Sequence, residues 1–282
     1  MQVFHTGAEW QKNWLYSIQS DKTIGLVPTM GALHEGHLDL VRKCKKECDI
    51  TVVSVFINPT QFNNPEDFAK YPITLEADLK KLEVVGTDFL FLPNVSAIYP
   101  EKPVLSFNFG ELEHVLEGEF RPGHFNGVGI IVSKLFNIIK PAKAFFGQKD
   151  LQQIAVIKRL MLDLSFDLKL VIVPTRREID GLAMSSRNLR LNPEERVLAL
   201  ILYSSLKKAK DELLGGNSWL EVSNQIRQDF VAKPLAKLEY FDLIHPDNFT
   251  RFKNFDSGQK SSICVAAFIG SVRLIDNLPI IT

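Results

Sequence analysis

The first two-thirds of this 282-residue chain alternates short apolar, strand-like runs with longer segments of helical period. The apolar runs are 24–28, 49–57, 89–92, 144–146 and 170–173. Between them lie helix-like segments over 37–48, 74–85, from Asn126 to before Pro141, and 151–162. Thr6 and Glu9 form a capping-box pattern that predicts a further helix running toward Ser20. Strands that alternate with helices pair in parallel through right-handed crossovers. The pattern therefore predicts an α/β fold, a Rossmann-like parallel sheet. Open sheets of this kind bind ligands at the carboxyl ends of their strands. The residues just after Val27, Ile57, Phe146 and Val173 are thus candidates for function before any motif is considered.

The last third reads differently. Asn192-Pro193-Glu194-Glu195 is a strong helix start, Gly215-Gly216 a stop, and Ser218 opens a second helix. Strand-like runs follow over 238–244 and 262–269, the latter continuing toward Ile275. The expectation is an N-terminal domain over residues 1–175 and a smaller α+β C-terminal domain over 176–282.

Hydrophobic residues make up 45% of the chain, charged residues 23%, and the formal net charge is zero. With no basic stripe, nucleic acid is not the expected partner. No apolar run approaches the length of a membrane span, and Met1-Gln2-Val3-Phe4-His5 does not read as a signal peptide. Three cysteines, an odd number, argue against a disulfide framework and for a cytoplasmic location. Cys44 and Cys48 sit one helical turn apart with nothing nearby to complete a metal site, and read as ordinary helix residues.

Five segments carry chemistry. The first, Pro28-Thr29-Met30-Gly31-Ala32-Leu33-His34-Glu35-Gly36-His37, places two histidines where a strand turns into a helix N-terminus. Unsatisfied N–H groups and the positive end of the helix dipole make that an anion site. Gly31 and Gly36 have P-loop spacing, but His37-Leu38 stands where Lys-Ser/Thr is required, so the P-loop reading fails. The second, Asn58-Pro59-Thr60-Gln61-Phe62, offers uncharged amides suited to a small polar substrate. The third, Glu119 to Val128, reads as an irregular charged loop before a helix, either a lid or a connection. In the fourth, Gly147-Gln148-Lys149-Asp150-Leu151-Gln152-Gln153, Lys149 suits phosphate and Gln153 lies one helical turn further on. The fifth, Asp180-Gly181-Leu182-Ala183-Met184-Ser185-Ser186-Arg187-Asn188, presents two hydroxyls and a guanidinium on a glycine-led loop. Each segment alone also has an inert reading as a cap, a turn or a solvated surface.

Together and in this order, the five segments resemble the pantoate–β-alanine ligase family over nearly the whole chain. The His-x-Gly-His and Met-Ser-Ser-Arg elements also resemble adenylate-forming nucleotidylyltransferases and class I aminoacyl-tRNA synthetases. The resemblance implies ATP and Mg²⁺, a pantoyl adenylate, attack by β-alanine, and a homodimer. It implies that His34, His37, Lys149 and Arg187 act on phosphate, with His37 the family's proton donor. It places ATP against Met30, Gly31, Ala32, Leu33, Glu35, Gly36, Gly147, Gln148, Asp150, Arg176, Met184, Ser185 and Ser186. It places pantoate and β-alanine against Gln61, Gln153 and Asn58, and carries Asp78 as a metal candidate, although Ala77 interrupts the acidic run there. Arg176 and Gln148 stand where the family more often has an apolar residue and Glu. Three rivals remain open: an adenylyltransferase acting on a phosphorylated precursor, which should show extra cations; a synthetase-like tRNA binder, which zero net charge disfavours; and an inactive nucleotide-binding module.

Overall fold

The computed structural model describes residues 1–18 and 21–281. The chain divides into two compact units. The first comprises Met1–Gln148 and Val156–Pro174; the second comprises Lys149–Ala155 and the chain from Thr175 onward.

The first unit is built on six strands: β1 (Gln2–Phe4), β2 (Ile24–Thr29), β3 (Ile50–Val55), β4 (Phe89–Phe91), β5 (Lys143–Gly147) and β6 (Lys169–Val173). They lie in the order β1-β4-β3-β2-β5-β6, and every pairing is parallel. All six residues of β3 are buried, as a β-branched run covered on both faces must be. From β2 the chain steps outward through β3 to β4, whereas β5 leads the other way to β6. The order therefore reverses between β2 and β5, and the two strands open a crevice at their carboxyl ends. Their pairing, Gly25 with Lys143 and Leu26 with Ala144, stops two residues short of Pro28. Pro28 has no N–H to give a ladder, so it is tolerated where the strands part.

The expected elements are present with shifted ends. Thr6 caps the helix Gly7–Ile18: Glu9 N donates to Thr6 Oγ1 at 3.2 Å, and Glu9 Oε2 accepts from His5 N at 2.7 Å. The expected extension to Ser20 lies outside the described residues. The helix after β2 is Glu35–Glu47, which buries Leu38, Leu40, Val41 and Cys44. A side chain at Gly25 would put its Cβ 2.3 Å from Cys44 Sγ, so glycine lets the strand close onto this helix. Burial pushes the Cys44 thiol up to about 12, which leaves the sulfur a packing group.

One expectation is corrected here. The segment from Glu119 to Val128 is not an irregular loop. Glu119 and Phe120 end the helix Leu116–Phe120 and His124 starts the helix His124–Ile139, so only 121–123 lie between them.

The second unit holds an antiparallel sheet of β7 (Ala236–Ile244), β8 (Ser261–Ile269) and β9 (Val272–Ile281), in that order. Helices Leu200–Leu214 and Trp219–Val231 bury Leu202, Leu206, Val222 and Ile226 with Phe241, Val265 and Leu274 from the strands. The helix expected from Asn192 is two segments, Pro193–Leu198 and Leu200–Leu214, with Ala199 between them. The apolar run from 262 toward Ile275 is likewise two strands, not one. It folds back at Gly270, whose φ of 55° suits a two-residue hairpin, and Ile269 pairs with Val272.

Candidate active site

The first unit places the histidine loop at the carboxyl end of β2. The loop is held in a conformation that ordinary residues avoid, with φ of 82° at Gly31 and 49° at Ala32. Asp78, buried on the helix Leu75–Val84, fixes it. Its carboxylate accepts Ala32 N and Leu33 N, each at 2.8 Å, and Thr74 Oγ1 at 3.1 Å. Lys81 of the same helix donates to Leu33 O. Thr29 Oγ1 donates to Ser54 O at 2.8 Å and accepts Gly31 N at 3.3 Å, which ties the loop to β3.

Asp78 thus clamps the loop through its backbone. Ala32 and Leu33 are buried, and their N–H groups donate to Asp78, which shapes the loop. Glu35, Gly36 and His37 form the first turn of the helix Glu35–Glu47. His34 caps the helix Glu35–Glu47, its N–H donating to His37 Nδ1 at 3.3 Å, and the two rings lie 4.0 Å apart.

At the carboxyl end of β3, Asn58 caps the 3-10 turn Pro59–Gln61. Asn58 is buried, and its amide is fully engaged. Nδ2 donates to Gln61 Oε1 and to Gly127 O, both at 3.2 Å; Oδ1 accepts from Thr60 Oγ1 at 3.0 Å and Tyr99 OH at 2.8 Å. Asn58 therefore supports the turn. Gln61 reaches the histidine loop: its Nε2 lies 2.8 Å from Met30 Sδ. A thioether is a weak acceptor, so this N–H is easily redirected to a better one. The Gln61 carbonyl accepts from the buried His124, with Nδ1 at 2.7 Å, and from Arg121 Nη2 at 3.5 Å. Gly127 makes this arrangement possible, since a Cβ there would lie 2.3 Å from Thr60 O and 2.7 Å from Gln61 Cα.

The end of β5 supplies Gly147, around which an added Cβ would meet nothing within 4 Å, and then Gln148. The structure thus brings Met30, the two histidines and Gln61 together on the first unit.

Lys149, Asp150, Gln153, Arg176 and Met184 to Arg187 belong to the second unit. Lys149 pairs with Asp150 at 3.5 Å, and its carbonyl accepts Asn277 Nδ2 at 2.8 Å. Gln153 is half-buried in the first turn of Leu151–Asp163. Arg176 is exposed, and its carbonyl accepts Met184 N at 3.0 Å, part of a small hairpin turned by Gly181. Ser185 caps the 3-10 turn Ser186–Arg190, accepting Arg187 N at 3.3 Å. The hairpin is anchored by Arg177, whose guanidinium grips the buried Asp276 at 2.6 and 3.0 Å and lies 4.1 Å from the Tyr203 ring centre. Burial pushes the Asp276 carboxyl up, opposed by Arg177.

Asp78 as a loop clamp, Lys81, Tyr99 and the Arg177–Asp276 pair escaped the sequence reading. Each acts across a long stretch of chain, and no local pattern marks it.

An open parallel sheet with a histidine-bearing helix N-terminus at its switch point defines a Rossmann-like α/β protein of the nucleotide-handling class. Residues 2–279 match the family model "Pantoate-beta-alanine ligase". The chain belongs to the pantoate–β-alanine ligase family. It is 50% identical over 263 residues to a pantothenate synthetase of Thermoanaerobacter pseudethanolicus, covering 92% of this chain and 91% of that one. The crystal structure of a pantothenate synthetase from Thermus thermophilus superposes with a TM-score of 0.91 at 38% identity, covering all of both chains. A pantoate–β-alanine ligase from Francisella tularensis, solved in complex with "Beta-gamma ATP and Beta-alanine", superposes with a TM-score of 0.81 at 36% identity over 99% of this chain and 97% of that one. Among the described residues, no helix is long and apolar enough to cross a membrane.

Proposed function

We propose that this enzyme condenses pantoate with β-alanine at the expense of ATP, through a pantoyl adenylate. The observation that carries the reading is the union of two groups in the first unit: the histidine pair on a helix N-terminus, and the uncharged Gln61 amide held against Met30 of the same loop. The first suits phosphate and the second a small hydroxy acid. The complex of the Francisella tularensis ligase with "Beta-gamma ATP and Beta-alanine" supports two of the same substrates.

In this reading a pantoate carboxylate oxygen attacks the α-phosphorus, and the bond to the bridging oxygen breaks to release pyrophosphate. The β-alanine amine then attacks the acyl carbon, and AMP leaves with the electron pair. The first step concentrates negative charge on the phosphates, so it is accelerated by fixed donors aimed at them. His34 and His37 fill that role, with His37 giving a proton to the departing oxygen. Lys149 and Arg187 neutralise phosphate charge, and Ser185 and Ser186 donate to it. Gln61 and Gln153 hold pantoate. Gly31, Glu35, Gly36, Gly147, Gln148, Asp150, Arg176 and Met184 border the nucleotide.

Magnesium would travel on the nucleotide's phosphates, because it keeps several waters and takes few protein ligands. Among the described residues no three carboxylates, histidines or cysteines gather to hold an ion, and Asp78 is already engaged, so no step is assigned to the metal. Three thiols outside any disulfide accord with a cytoplasmic setting, and family resemblance with a homodimer. The test is product analysis: AMP, pyrophosphate and pantothenate should appear in equal amounts, and only with all three substrates. ADP and phosphate as products would refute the adenylate route.

A further inference from the structure

We propose that Tyr99 is a positioning residue for the hydroxy-acid substrate, acting through Asn58 to fix which face of the Gln61 amide looks into the site. The inference rests on the reading above, in which Gln61 contacts pantoate.

Two backbone groups beside Asn58 have roles that admit no choice. Thr60 N–H can only donate and Gly127 O can only accept. Asn58 places one amide atom 3.4 Å from the first and the other 3.2 Å from the second, so the first is Oδ1 and the second Nδ2. The other proton of Nδ2 then goes to Gln61 Oε1, which must be the carbonyl. The Gln61 Nε2 is thereby turned toward Met30 Sδ. Gln61 thus offers N–H donors, and selects a ligand oxygen that accepts.

Tyr99 OH makes the shortest contact to Asn58 Oδ1, 2.8 Å, against 3.0 Å from Thr60 Oγ1 and 3.4 Å from Thr60 N. The phenol is buried at the end of the short helix Val95–Ile98, and burial pushes its acidity further from neutrality, which keeps it a donor. Its ring is held independently, lying 6.2 Å from Phe56 and 5.4 Å from the Lys134 ammonium. The hydroxyl can therefore be removed with the ring left in place. Asn58 Oδ1 then keeps only the longer Thr60 bonds, Nδ2 its bond to Gly127 O, and the amide is held less firmly, so the Gln61 amide turns its carbonyl toward the substrate's oxygens more often.

The experiment is a double-mutant cycle of Tyr99→Phe and Gln61→Ala, with KM for pantoate, KM for ATP and kcat measured for each. Tyr99→Phe should raise the pantoate KM about fivefold, the worth of one lost orienting hydrogen bond, and leave the ATP KM unchanged. Gln61→Ala should raise the pantoate KM further, and adding Tyr99→Phe to it should change nothing more. In the substrate-free protein, the side-chain ¹⁵NH₂ resonances that vanish in Gln61→Ala should shift in Tyr99→Phe. If Tyr99→Phe exerts its full factor in the Gln61→Ala background, or raises both KM values alike, the relay is overturned while Gln61 keeps its role. An unchanged pantoate KM in Gln61→Ala overturns the placement of Gln61 and the relay together. Side-chain resonances that do not move in Tyr99→Phe overturn the relay alone.

Discussion

Asp78 holds Ala32 in a left-handed conformation. The carboxylate accepts the Ala32 N–H at 2.8 Å while Ala32 sits at φ 49°. The partners are 46 residues apart, so a helix at the far side of β3 sets the shape of the loop that presents His34 and His37. Asp78→Asn is nearly isosteric but puts an N–H donor opposite one of the two backbone N–H groups. That leaves one buried donor unmet and should cost about 2 kcal/mol in urea unfolding. ATP affinity should fall with it, because the helix N-terminus loses its fixed approach. Unchanged stability would show that the loop does not depend on Asp78.

Gly127 is the point where the helix His124–Ile139 lies directly on the Asn58–Gln61 turn. In Gly127→Ala the new Cβ meets backbone atoms at 2.3 and 2.5 Å, which cannot swing aside as a side chain would. The turn must shift, at a cost of about 1–3 kcal/mol. Because the displaced atoms belong to Thr60 and Gln61, the pantoate KM should rise more than the ATP KM. Steady-state kinetics with each substrate varied will show whether the two respond differently; equal rises would place the damage elsewhere.

Arg177 neutralises a carboxylate that has almost no solvent of its own, since Asp276 is 4% exposed. Arg177→Ala strands that charge and should destabilise the protein by about 3 kcal/mol near neutral pH. The loss should depend on pH. Burial already pushes the Asp276 carboxyl up, and removing Arg177 pushes it higher. Above the unfolded carboxyl's titration the folded variant then holds a proton that the unfolded chain has released, so its stability falls as pH rises. Thermal melts at about pH 5 and about pH 8 should show the larger deficit at the higher pH. A deficit that is constant with pH would mean that Asp276 is not the group at stake.

Much of the architecture is legible in the chain because buried parallel strands are written as short runs rich in β-branched residues, as in Ile50 to Val55. What escaped has physical reasons. β1 spans only three residues, too few to show a period. β8 and β9 read as one run because only Gly270 and Ser271 separate Ile269 from Val272, apolar residues of two buried strands. His34 and His37 were readable because helix N-termini carry local signals. The clamp from Asp78, the amide relay from Tyr99 and the Arg177–Asp276 pair were not, since contacts 41 to 99 residues apart leave no local trace.

Activation of pantoate as an adenylate before β-alanine enters is read out by exchange of isotopically labelled pyrophosphate into ATP. Exchange should proceed with enzyme, ATP, magnesium and pantoate, need no β-alanine, and vanish when pantoate is left out. Exchange that runs without pantoate, or appears only once β-alanine is added, would rule out a pantoyl adenylate formed ahead of β-alanine.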